Sequence, residues 1–310
     1  MAITDVLKPQ SPSRRLRETL RQVRKNWSAY MFLAPGLIHF MIFTLFAVSF
    51  AFYISFHEWN IIRPEKPFVG LDNYARLISD TRFHRSVINT FTFMIGVPLN
   101  LISGLSVALL LNTKVRGQAL FRTMFYIPVV TPLVVSSIIW KWLYQGDYGL
   151  LNYYLLKFGI IQEKIFWLAD PNLALPALIL MGIWGGTGFT MVIYLAGLQS
   201  IPQEMYDAAK VDGASAWQRL VYITVPLLRP TTFFLFITGI IGAFQIFTEV
   251  YIMTNGGPLN RTTTIGYYLY VNAFRELDMG YATAMAFVLF AMIFVFTLIQ
   301  WKYTRGDIEY

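Results

Sequence analysis

The sequence predicts an all-α integral membrane protein with six transmembrane helices, and three observations predict it. Hydrophobic residues fill 56% of the 310 positions, and aromatic residues fill 17%. Only 14% of residues are charged, against roughly a quarter in soluble domains. Six separate runs are apolar enough to cross a bilayer, where roughly 20 residues span about 30 Å of hydrocarbon. The polar stretches between them are too short to cover six buried helices, which excludes a soluble fold.

The elements follow in order. Residues 1–29 form a basic N-terminal segment, in which Leu16, Leu20, Val23 and Trp27 recur at helical spacing among arginines. That pattern fits a helix lying on the membrane surface, or equally a disordered basic tail that orients the first span. The next apolar run is too long for a cleavable signal and ends without a small-residue cleavage site, so it remains a helix. The six-helix domain covers 30–301, with spans at 30–56, 86–111, 119–143, 173–198, 230–253 and 280–301, and a short tail at 302–310. The fourth span carries Gly182, Gly185, Gly186 and Gly188, which permit close backbone approach between helices. Pro98, Pro128, Pro132 and Pro176 are positions for kinks.

Charge sets the orientation. With the N-terminus inside, fifteen Lys/Arg fall in inside segments and nine in outside segments, the bias that holds both termini in the cytoplasm. The formal net charge is +8. Its basic residues are dispersed or sit beside apolar runs, which suits membrane lipid headgroups and not nucleic acid. There is no cysteine, hence no disulfide and no thiolate ligand. His39, His57 and His84 have no metal-ligand spacing, and no nucleophile–base pairing is readable.

The inside segment 199–229 is far longer than a simple helix connection. Ser200 is expected to cap a helix with Pro202 in its first turn. The helix runs over 203–211, with Glu204 and Asp207 near its positive end. Asp212-Gly213-Ala214-Ser215 breaks it, and Ser215 then caps a second short helix through Val221. Ala208 and Ala209 leave room for another surface. An ordinary interfacial helix would account for the same pattern.

This stretch, "EMYDAAKVDGASAWQRLVYITVPLL", resembles the cytoplasmic loop of binding-protein-dependent ABC importer permeases, especially the maltose-type carbohydrate group. The family pattern is Glu-Ala-Ala, three residues, Gly, nine residues, Ile, one residue, Leu-Pro. Here Asp207-Ala208-Ala209 takes the opening, Gly213 the glycine, Ile223 the isoleucine and Val225-Pro226 the close. Aspartate replaces the usual glutamate, and valine the usual leucine. "FVGLDNY", "FYIPVVTP", "GLLNYYL" and "NGGPLNRTTT" are similar to other sugar-permease features, so the likeness covers most of the chain.

The resemblance implies the type I ABC importer permease fold in the bacterial inner membrane. It implies a homologous second permease subunit, a cytoplasmic ATPase dimer, an extracytoplasmic solute-binding protein and a carbohydrate substrate. Glu204, Asp207, Ala208, Ala209, Asp212, Gly213, Ile223 and Pro226 would then form the ATPase-coupling surface. No Walker phosphate loop occurs in the sequence. The chain is therefore expected to bind no cofactor itself, to be no enzyme, and to draw on ATP and Mg used by the partner ATPase. The archetype's large outer-loop insertion is absent, which leaves "GDYGLLNYYLL" and the 255–264 loop to meet the binding protein.

Polar residues inside lipid-embedded helices mark solute pathways by default. Glu249 is the only acid within the six runs. Gln245 lies four residues before it, on the same face of a continuous helix, and Thr248 is adjacent. Phe244, Tyr251 and Trp184 could cover the apolar face of a sugar ring, and Asn89 offers an amide. An interhelical hydrogen bond would explain Glu249 equally well. Glycerol-3-phosphate or an acidic oligosaccharide is the alternative solute, and an ion-coupled secondary transporter is the rival mechanism.

Overall fold

The computed structural model describes residues 25–113 and 116–304. The expected N-terminal surface helix, the positive-inside contributions of Lys114 and Arg305, and the end of the C-terminal tail lie largely outside the described residues. The chain divides after Ile54 into two units. In the first, α1 (Trp27–Ile54) is long and apolar enough to cross a membrane. Its hydrogen-bond ladder widens to π geometry over Phe40–Phe46, downstream of Pro35, whose missing N–H and ring disturb the regular pattern.

The second unit is entirely helical apart from loops and isolated bridges. Helices α2 (Asp72–Ser79) and α3 (Thr81–Phe93) are joined at Asp80. Asp80 accepts from the backbone N–H of Arg82 and Phe83 and so caps α3. After a break at Met94–Ile95, α4 (Gly96–Leu111) completes an apolar stretch running from Thr81 to Leu111, five residues longer than the sequence reading at its start.

The third run is not one rod. Helix α5 (Gln118–Val130) meets α6 (Leu133–Leu143) at 98°. Pro132 stands at the junction in extended geometry, and it biases Thr131 away from helix. A short outer helix, α7 (Leu150–Lys157), follows. The buried amide of Asn152 donates to the Gly146 and Ile165 carbonyls and accepts from the Trp167 indole.

Helix α8 (Ala174–Ser200) is uninterrupted, with Pro176 in its first turn where the missing N–H costs nothing. It packs on α4 and α5 through its small residues. A Cβ added to Gly188 would lie 2.1 Å from the Phe125 carbonyl, so only glycine fits there. Asn100 donates to the Ile183 carbonyl (3.0 Å) and accepts from Thr190 (2.6 Å), and Ser103 meets Thr187 (2.7 Å). These residues fasten helices to each other, the role small and hydroxyl side chains commonly take in lipid.

Helix α9 spans Gln203–Val211. Two details of its approach differ from expectation. Ser200 ends α8, its hydroxyl donating to the Gly197 carbonyl, and Pro202 is the N-cap of α9 instead of a first-turn residue. The next helix, α10 (Ala216–Leu227), runs beyond Val221 because its capping box starts it firmly and a π stretch at Leu220–Thr224 carries it onward. It bends by 64° into α11 (Arg229–Phe244).

The fifth run departs most from the sequence reading. Helix α11 stops at Phe244, the chain is irregular over Gln245–Phe247, and helical geometry resumes at Thr248, with a π stretch, α12, at Val250–Thr254. The 255–264 loop leads to α13 (Ile265–Tyr270), which widens to π geometry over Val271–Arg275, and then to the last apolar helix, α14 (Met279–Thr304). The described residues thus contain four helices long and apolar enough to span, or six when each bent pair is one span.

Candidate functional site

The break in the fifth run opens a cavity. About 370 Å³ lies between α4, α8 and α11, lined by Val97, Asn100, Gly182, Phe189, Ile246 and Glu249 among others. A second space of about 530 Å³, toward the α5–α6 bend, is lined by Pro132, Ser136, Gly182, Trp184, Gly185 and Glu249. Glu249 belongs to both, as do Gly182, Gly186 and Phe189. Gly182 and Gly185 would meet nothing within 4 Å if given a Cβ. They leave space open, whereas Gly186 and Gly188 close helix contacts.

The broken segment is held from outside. The Thr264 hydroxyl donates to the Ile246 carbonyl (2.7 Å), which the break deprives of its helical partner. Lys141, at the end of α6, donates to the Ile252 carbonyl (2.9 Å). Irregular backbone at membrane depth is tolerated where it is buried in protein or lines a cavity, and here it does both. Glu249 is half-buried, and no basic side chain among the described residues lies within ion-pair distance of it. A carboxylate, the Asn100 amide and the hydroxyls of Thr190 and Thr238 on a mainly apolar wall can offer hydrogen bonds to a hydroxylated solute.

The other sequence-predicted pathway residues separate into groups. Trp184 lines the second cavity and packs edge-on against Trp140 at 5.5 Å. Gln245 is exposed in the break, and Thr248 is half-buried beyond it. The expected shared face of Gln245 and Glu249 does not exist, because the helix is interrupted over Gln245–Phe247. Phe244 is fully buried against Phe91 and Phe296 and lines neither cavity. Tyr251 stacks on Phe247 at 5.4 Å, away from the cavity walls. Asn89 is buried, and its amide donates to the Asn260 (2.9 Å) and Thr263 (2.8 Å) carbonyls. It clamps the 255–264 loop. Phe189 and Ile246 line the first cavity and carry no polar signal that a sequence could betray.

The 199–229 stretch presents a different kind of surface. Gly213 has φ +77° and closes the turn after α9, a left-handed geometry that favours glycine. Ser215 and Gln218 form a complete capping box at the start of α10. Glu204, Asp207, Ala208, Asp212 and Gly213 are exposed, and Ala209, Ile223 and Pro226 are partly covered. Val211 is 88% exposed and Trp217 70% exposed. Hydrogen bonds from Lys210 and Gln203 hold the Asp207 carboxyl below its ordinary range.

Among the described residues no group of histidine, aspartate and glutamate could hold a metal ion. The family model described as "Binding-protein-dependent transport system inner membrane component" matches residues 96–303. A probable ABC transporter permease protein of Pyrococcus horikoshii is 37% identical over 280 residues, covering 89% of this chain and 96% of the relative. The trehalose/maltose transport system permease protein MalF of Thermococcus litoralis is 36% identical, covering 89% and 93%. The lactose transport system permease protein LacF of Rhizobium radiobacter is 36% identical, covering 90% and 94%. These relatives extend beyond the maltose group. A solved chain of a bacterial ABC transporter for import of the acidic polysaccharide alginate superposes with a TM-score of 0.83. It is 23% identical and covers 94% of this chain and 100% of that one, a likeness in fold. The chain belongs to the binding-protein-dependent transport system inner membrane component family, as a multi-pass, non-catalytic permease subunit of an ABC importer.

Proposed function

We propose that this chain forms half of the translocation pathway for a sugar or oligosaccharide and that the 199–229 stretch receives the ATPase on the cytoplasmic face. The observation that carries the pathway half is the cavity at the broken fifth span, with Glu249 on its wall. Discontinuous helices at a membrane-embedded site are a recurrent way to expose backbone and side-chain polar groups to a solute. Relatives named for trehalose/maltose, lactose and arabinooligosaccharides support a carbohydrate. The second permease, the ATPase dimer and the extracytoplasmic binding protein complete the assembly, with both termini of this chain inside.

An acidic oligosaccharide is the second reading. The alginate importer's fold match, together with that transporter's crystal structure in complex with an alginate-pentasaccharide-bound periplasmic protein, favours it. Membership of a binding-protein-dependent family stands against an ion-coupled carrier. Reconstitution of the chain with its second permease and ATPase tests the reading. Carbohydrate uptake should require both ATP and the binding protein, and flux driven by an ion gradient alone would reject it.

A further inference from the structure

The side of the fifth span away from Glu249 carries a second, separate arrangement. Phe247, in the break, stacks on Tyr251 at 5.4 Å and meets Tyr270 at 5.1 Å; Tyr251 and Tyr270 meet edge-on at 5.3 Å. Phe274 extends the group from Tyr270 at 5.4 Å and is 61% exposed. The Arg275 guanidinium lies over both phenol rings, 5.9 Å from Tyr251 and 6.0 Å from Tyr270, and donates a hydrogen bond to the Tyr270 hydroxyl. Arg63 and Lys164, in loops, and Arg76, in α2, each pair with a carboxylate. Among the described residues Arg275 pairs with none, although it is exposed.

Ring contact and the single bond to Tyr270 fix the guanidinium in place and leave its other N–H donors for a ligand. A fixed fork matches a carboxylate bidentately, and an adjacent exposed aromatic ring can cover the apolar face of a sugar. We infer that Arg275, with Tyr251, Tyr270 and Phe274, is an outer receiving site for one acidic sugar unit, read through its carboxylate. The inference rests on the carbohydrate reading above and narrows it to acidic saccharides at this position. In the chain, Phe247 directly follows Ile246, which lines the first cavity.

Saturation-transfer NMR on the purified chain in phosphatidylcholine nanodiscs tests this at low ionic strength, with aromatic protons irradiated. The probes are trigalacturonate and neutral maltotriose. Trigalacturonate should bind about tenfold more tightly than maltotriose and lose about tenfold in R275Q. R275K, which keeps the charge without the fork, should be intermediate, and R63Q should behave as wild type. Equal binding of both sugars, untouched by R275Q, would overturn the site while leaving the carbohydrate reading intact. So would absence of any signal in wild type while the assembled importer still transports sugar. If R275Q changes only the retention of phosphatidylglycerol in mixed nanodiscs, the site belongs to a lipid headgroup and the proposal falls.

Discussion

Glu249 lines both cavities, with no basic side chain among the described residues within ion-pair distance, and in the proposed pathway its carboxylate has a solute to meet. In E249Q the shape is kept and the charge is lost. Solute-stimulated ATPase activity of the assembled importer should fall about tenfold, the size of one charge-assisted hydrogen bond, while copurification with the partners is unchanged. Unaltered transport would remove Glu249 from the pathway. Asp80 offers a contrasting carboxylate. Tyr281 (2.5 Å) and Tyr268 (2.7 Å) both donate to it, tying the start of α3 to α13 and α14. Burial works to raise its pKa, but these two phenols and the Phe83 and Arg82 N–H groups outweigh it and hold the carboxyl below its ordinary 3.8. The charged form is therefore the one that folding favours. Its contribution is complete above pH 3.8 and is lost as pH falls through the lowered value. D80N should melt earlier at neutral pH and lose the acid-dependent part of wild-type unfolding; identical melting curves across that range would contradict the clasp. Glu249 was legible as an acid in an apolar run. Asn89 and Phe244 were weaker candidates, an amide and a possible ring platform, and only packing separates a loop clamp and a core ring from a cavity wall.

At the scale of elements, composition revealed where lipid-embedded helices lie but not where they break. Pro132 was visible as a kink position, yet the 98° angle depends on how α5 and α6 each pack afterward. The break at Gln245–Phe247 contains neither proline nor glycine. It persists because Thr264, from the far side of a loop, takes up the Ile246 carbonyl, and such a partner is invisible to local periodicity. The glycines of α8 divide by the same logic. G188A should destabilise the α5–α8 contact by about 1–3 kcal/mol through overpacking, because its Cβ would collide with the Phe125 carbonyl. G185A has open space and should leave the melting temperature unchanged. Equal melting of the two variants would show that the close contact is not needed. The α9–Gly213–α10 pattern was more legible, since capping and turn chemistry are local: α9 has the bounds that its sequence suggested, and the Ser215 box forms. The length of α10 was missed because its continuation is decided by tertiary packing. Among the described residues Asp207 bonds within its own helix, to Lys210 (2.8 Å) and Gln203 (3.3 Å). D207R should therefore fold normally and yet lose ATP-coupled uptake; full coupling in this variant would count against the loop as the ATPase contact.

The whole molecule reads as a permease that carries no nucleotide site and must receive force from outside itself. In the proposed function that input arrives on the 199–229 stretch, at the face to which the charge bias of the sequence assigns it. The absence of cysteine makes that claim directly measurable. A single cysteine placed at the exposed Val211, V211C, gives one reactive thiol on the 199–229 stretch. In intact cells a membrane-impermeant maleimide should leave it unlabelled. In inverted vesicles it should be labelled, and a short bifunctional reagent should join it to the ATPase. Labelling from the outside of intact cells, or crosslinking to the extracytoplasmic binding protein instead, would contradict the account.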